Sequence, residues 1–133
     1  ILLIHGIEGG MLDCPYWKSL SERMGAMGWI TVQPQLRSAY DGYGRLTLQD
    51  DVDDVDLLIA QLCPDRCVLL GYSTGCQVAL RYARRGKTRS VLCGLVLQAP
   101  VSDYICAAHA HGAGQVEETL ALARGLVRQG RAE

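Results

Sequence analysis

Val68-Leu69-Leu70-Gly71-Tyr72-Ser73-Thr74-Gly75-Cys76-Gln77-Val78-Ala79-Leu80 is the stretch on which the fold turns. A short apolar run leads into a Gly-x-Ser-x-Gly word, and apolar residues then continue through Val78, Leu80 and Tyr82 to Arg84 as an amphipathic helix would carry them. The five-residue word alone is a weak signal. Set between a strand and a helix, it matches a turn that lifts the serine hydroxyl above the edge of a sheet. Such a turn holds its serine in a strained conformation. Neighbouring chain crowds in so closely that small residues are needed two positions to either side, here Gly71 and Gly75. Ser73 is therefore a candidate nucleophile. The plainer alternative is a Gly-rich strand-to-helix turn with an idle serine.

Working outward, apolar runs at residues 1–5, 30–33, 67–70 and 91–98 are rich in Ile, Val and Leu, as strands covered on both faces are. Longer amphipathic segments separate them, which is the pattern of parallel βαβ units. The expectation is an α/β fold: a three-layer α/β/α sandwich with about four parallel strands, in the spatial order second, first, third, fourth. Residues 1–133 would form a single partial domain. A first helix over 16–27 would bury Tyr16, Leu20, Met24 and Met27. A second opens with Thr47 and Asp50 as a capping box, buries Val52, Val55, Ile59 and Leu62, and exits at Pro64. Its aspartates, Asp50, Asp51, Asp53, Asp54 and Asp56, are expected on a solvated face near the positive helix end rather than around a metal. A last helix over 116–128 carries Val116, Leu120, Ala123 and Val127 at helical spacing. Residues 36–45 read as a Gly-containing loop on the rim that holds ligands in open α/β sheets.

Composition narrows the function classes. The 133 residues carry a formal net charge of −1, with 49% hydrophobic and 20% charged residues. Charge this close to neutral gives no electrostatic reason for a nucleic-acid partner. The longest apolar runs are too short to span a bilayer. The chain opens inside an apolar run without Met or a basic flank, as a fragment does. Its six cysteines have no zinc-like spacing, and Cys67 and Cys93 read as small buried hydrophobes. Reduced thiols point to the cytoplasm or another reducing intracellular compartment. No cofactor and no metal are expected.

A second glycine cluster, His5-Gly6-Ile7-Glu8-Gly9-Gly10, follows the first strand. It lacks the spacing and the Gly-Lys-Ser/Thr ending of a phosphate loop. As an oxyanion loop it is chemically sensible. One backbone N–H, from Ile7 with Glu8 as the next candidate, would pair with the N–H of Thr74, the residue after the nucleophile. Each such donor is worth roughly 3–4 kcal/mol of transition-state stabilisation. His5 reads as structural.

Three stretches resemble the eukaryotic α/β-hydrolases catalogued as domain of unknown function 1749. They are Val32-Gln33-Pro34 with Ser38-Ala39-Tyr40-Asp41-Gly42-Tyr43-Gly44, then Leu69-Leu70-Gly71-Tyr72-Ser73-Thr74-Gly75-Cys76-Gln77, then Leu97-Gln98-Ala99-Pro100-Val101-Ser102-Asp103. The likeness covers almost the whole chain. It departs at Tyr72, where the family usually has His, at Val78, where it has Asp, and at His5-Gly6, where it has two glycines. The resemblance implies a serine hydrolase with its triad in the chain order Ser, Asp, His, acting as an esterase on a small-molecule ester or acyl substrate. The family's acid and histidine would lie beyond Glu133. Within this chain Asp103 is a candidate for the acid, or else for a helix N-cap. His109 and His111 are weaker candidates for the base, which in this fold follows a late strand. An acyltransferase on the same fold and a non-catalytic receptor that kept the pocket are the alternatives.

Overall fold

A computed structural model describes residues 1–131 except Glu8 and Asp13. By internal contacts the chain forms two compact units, Ile1–Pro100 and Val101–Glu133.

The first unit is built on a parallel sheet of β1 (Leu2–Ile4), β2 (Cys67–Tyr72) and β3 (Leu92–Gln98), in that spatial order. Leu2 stands opposite Leu69 and Ile4 opposite Gly71; Leu69 faces Leu95 and Tyr72 faces Gln98. The second apolar run is reduced to a single parallel bridge, Val32 to Leu2. Two backbone bonds hold it, Leu3 N–H to Val32 O and Val32 N–H to Ile1 O, both 2.9 Å. The expected neighbour order survives, but the second of the four expected strands does not form. Pro34 has no N–H to donate to a ladder, so pairing stops there.

Strand alternation divides the core into two layers. Leu2, Ile4 and Leu69 face Val52, Val55, Ile59, Val78 and Tyr82 of helices α2 (Leu48–Leu62) and α3 (Gly75–Arg85). Leu3, with Leu70 and Tyr72, faces Cys14 and Trp17 at the start of α1 (Trp17–Ala26). One face thus carries α2 and α3 and the other α1, which is the three-layer arrangement. The buried stripe of α1 is turned from the expected one. Trp17 is its fully buried anchor and Leu20 and Met24 are half-buried, whereas Tyr16 and Met27 are exposed. The large indole takes the inward position and sets the rotation of the helix.

Helix α2 starts as its sequence predicts, with reciprocal bonds between Thr47 and Asp50. Leu62, expected inside, is exposed at the last turn. Asp51 and Asp56 depart from the expected solvated face, each only 7% exposed. Asp56 accepts from the Lys87 and Thr88 amides at 3.0 and 2.9 Å and from the Thr88 hydroxyl at 2.8 Å, tying α2 to the turn before β3. Cys67 is buried, but Cys93 is exposed, beside the register shift between Cys67 and Val68.

The second unit contains α4 (Asp103–His111) and α5 (Ala113–Arg128), packed against each other. Val116 and Leu120 are half-buried in it, while Ala123 and Val127 are exposed. Ser102 caps α4, its hydroxyl accepting from Ile105 N–H at 3.4 Å, so Asp103 is the first helical residue and not the cap. Among the described residues no helix is long and apolar enough to cross a membrane.

Candidate active site

Parallel strands bring their C-terminal ends to one rim. On that rim lie the 6–10 loop after β1, the 36–45 loop after the Val32 bridge, and Ser73 after β2.

Ser73 has φ +54, a left-handed conformation that few residues other than glycine adopt. The glycines around it show what forces this. A Cβ on Gly71 would lie 2.4 Å from Gly75 O and 2.7 Å from Cys76 N. One on Gly75 would lie 2.4 Å from Ile4 O and 2.5 Å from His5 O, at the end of β1 and just after it. Both contacts are impossible for a real side chain, so the start of α3 rests directly on the end of β1 through Gly75.

The turn is also pinned from β3. Ser73 N–H donates to Gln98 O at 3.0 Å, and the Cys76 thiol bonds the Gly71 and Gln98 carbonyls at 3.1 and 3.3 Å. Burial pushes the Cys76 thiol above its ordinary pKa, as for a cysteine that packs rather than reacts. The Gln98 side chain in turn accepts from the Tyr16 hydroxyl, which itself accepts from Trp17 Nε1 at 3.1 Å. Sequence reasoning passed over Gln98 and Cys76. The signal that would have found Gln98 is register, since it pairs with Tyr72 beside the serine.

The first glycine loop reaches the same place. A Cβ on Gly6 would stand 3.2 Å from Ser73 Cβ and 3.4 Å from Tyr72 Cδ1. Gly9 N–H bonds Gly6 O at 3.2 Å, which makes Ile7 a corner residue whose N–H takes no part in the turn's own bond. Thr74 is the N-cap of α3, so its N–H is among the helix-start donors with no partner within the helix. The chain thus brings Ser73, Thr74 and the Gly6–Ile7 backbone to one end of the sheet. Glu8, the other oxyanion candidate, lies outside the described residues.

His5 is buried, with Nδ1 2.8 Å from Gly6 O and Nε2 accepting from Leu36 N–H at 3.4 Å. This pattern assigns the neutral tautomer with the proton on Nδ1. Both nitrogens are engaged, as a structural histidine requires. Asp103 lies in the first turn of α4 and His109 and His111 in its last. Among the described residues no three His, Cys, Asp or Glu side chains are gathered to hold a metal.

From residue 1 to residue 133 the chain matches the family described as Protein of unknown function (DUF1749). A UPF0613 protein of Schizosaccharomyces pombe is 32% identical over 126 residues, 89% of this chain and 40% of the yeast protein. The chain therefore spans about two fifths of that relative's length. A solved structure described as an alpha/beta hydrolase fold protein of unknown function superposes at a TM-score of 0.70 with 22% identity, covering 98% of this chain and 45% of its own. A carboxylesterase of the ammonia-oxidizing thaumarchaeon Nitrososphaera gargenis gives a TM-score of 0.55 at 19% identity, covering 84% and 45%. Those two likenesses establish the fold and the match along the whole chain establishes the family: this protein belongs to the DUF1749 family and carries part of an α/β-hydrolase fold.

Proposed function

We propose that the protein is a serine hydrolase that cleaves carboxylic esters through an acyl-enzyme on Ser73. The observation that carries this reading is the left-handed Ser73 on a turn so crowded that neither Gly71 nor Gly75 admits a methyl group. Backbone strain of this kind, roughly 1–3 kcal/mol, persists where the surroundings over-determine it, and it clusters at reactive sites.

In this mechanism Ser73 Oγ attacks the ester carbonyl carbon while its proton passes to a general base. In a mechanism of this type that base is a histidine, itself oriented by a carboxylate. The carbonyl oxygen becomes an oxyanion and accepts from the N–H groups of Thr74 and Ile7. The tetrahedral intermediate collapses, the C–O bond to the alcohol breaks, and the base returns its proton to the departing alkoxide. Water then adds to the acyl-enzyme by the same route, releasing the carboxylic acid and restoring Ser73. The carboxylesterase fold neighbour supports a small-molecule ester as substrate class.

The test is Ser73→Ala in the full-length natural protein, with short p-nitrophenyl esters and a fluorophosphonate probe. The variant is expected to lose at least about 10³-fold in kcat and all labelling, with its unfolding midpoint unchanged. Retained turnover, or a probe that marks a different residue, would refute the assignment.

A further inference from the structure

Tyr40, like Ser73, is a non-glycine residue held left-handed, at φ +51. The 36–45 loop folds tightly back on itself to produce that conformation. Ala39 N–H bonds Leu36 O, Gly42 N–H bonds Ala39 O and Tyr43 N–H bonds Tyr40 O, at 3.0, 3.1 and 3.0 Å. A Cβ on Gly42 would fall 1.8 Å from Arg37 O, so only glycine closes the loop.

Polar tethers then fasten the loop from outside. Arg37 N–H donates to Asp54 at 2.8 Å, and its guanidinium reaches Asp54 and the Asp50 carbonyl. The Ser38 hydroxyl donates to Asp51 Oδ2 at 2.8 Å, and Leu36 N–H reaches His5. All of this delivers the Tyr40 ring onto the bare backbone of Gly10. A Cβ there would meet Tyr40 Oη at 2.4 Å and Cε2 and Cζ at 2.8 Å.

Core packing does not account for the arrangement, because Tyr40 remains 55% exposed. Ile7 and Met11, at the two ends of the loop it covers, are 53% and 55% exposed. Arg37, in the same loop, is paired with Asp54. The outcome is an apolar wall with one hydroxyl, beside the loop that approaches Ser73.

Resting on the serine-hydrolase reading above, we propose that Tyr40 is a specificity-determining residue of the Ser73 site, selecting esters that carry an uncharged alkyl or aryl group against Ile7, Gly10 and Met11. Ser38 is the corresponding positioning residue, acting through the loop.

The experiment uses the full-length natural protein and p-nitrophenyl esters from acetate to decanoate, with kcat and KM measured separately. Tyr40→Gly is the informative variant, because glycine accepts φ +51 without strain and removes only the ring. The ratio of kcat/KM for the longer esters to that for acetate should fall about 10-fold, mostly through KM. Tyr40→Phe should keep the wild-type ratio, and Ser38→Ala should lower it by a smaller factor. A ratio unchanged in Tyr40→Gly, or charged esters preferred over alkyl ones by the wild type, would overturn the proposal. Fluorophosphonate labelling separates the two levels. Labelled Ser73 with an unchanged ratio removes only the role of Tyr40, whereas an unlabelled Ser73 and no ester turnover in the wild type remove both.

Discussion

The elbow around Ser73 and the loop around Tyr40 solve one problem by different physical means. Each holds a non-glycine residue left-handed at the same rim, at φ +54 and +51. At the elbow the constraint is steric and made by backbone: Gly75 lies against the carbonyls of Ile4 and His5, and Gly71 against Gly75. At the loop, steric closure at Gly42 is joined by side-chain hydrogen bonds and charge, supplied by Asp51 and Asp54 from α2 and by His5 just after β1. Backbone packing has no titratable part and no room for gradation. Polar tethers can be weakened one at a time and respond to pH. The nucleophile's position is thus insulated from conditions that can still adjust the wall beside it.

The largest expected effect breaks the steric side. Gly75→Ala inserts a methyl group 2.4 Å from Ile4 O and 2.5 Å from His5 O, neither of which is a flexible side-chain end. Helix α3 would have to lift off β1, at a cost of about 3 kcal/mol or more. Chemical denaturation should show that loss in the midpoint. A variant as stable as the wild type would mean that the close approach of α3 to β1 is not what fixes the elbow.

This contrast also explains what was legible in the sequence. The elbow is local: strand, turn and helix are consecutive, and the glycine spacing records the steric demand. The capping box at Thr47 and Asp50 is local as well. Tyr40 on Gly10 and Ser73 on Gln98 join segments at least 25 residues apart, and no periodicity carries that information. Asp51 and Asp56 were hidden for a related reason. A charge pattern along α2 does not reveal that Ser38 and Thr88 come in from distant loops to satisfy buried carboxylates. The second apolar run was overcounted because its composition outweighed Pro34, which leaves only Val32 paired.

An intermediate effect lies on the polar side. Ser38→Ala removes the hydrogen bond to Asp51 Oδ2, and Asp51 Oδ1 is already buried with no partner among the described residues. The expected cost is roughly 1–2 kcal/mol in the denaturation midpoint. It should come with faster hydrogen exchange at Leu36 and Ala39 and little change at Ser73. Equal loosening of loop and elbow would show that the two regions are one mechanical unit.

The smallest effect uses pH to tell two buried carboxylates of one helix apart. Burial pushes the Asp51 carboxyl above the usual range, against the lowering pull of the Ser38 hydroxyl and amide. Burial acts in the same direction on Asp56, but there the Lys87 and Thr88 amides and the Thr88 hydroxyl win and hold the pKa below that range. The linkage signs are therefore opposite. A raised folded-state pKa gives Asp51 a contribution fully present below the unfolded value, about 4, and lost as pH climbs through the folded value. A depressed one gives Asp56 a contribution present above about pH 4 and lost as pH falls through its folded value. Because asparagine does not titrate, each substitution isolates one of these slopes. Relative to wild type, Asp51→Asn should gain stability as pH rises from about 4 toward neutrality. Asp56→Asn should be most destabilised near neutrality and approach wild type on acidification. Urea titrations at a series of pH values measure both differences. Parallel slopes would mean that the Asp51 carboxylate is as well satisfied as that of Asp56, and the 36–45 loop would then be held without a pH-dependent tether.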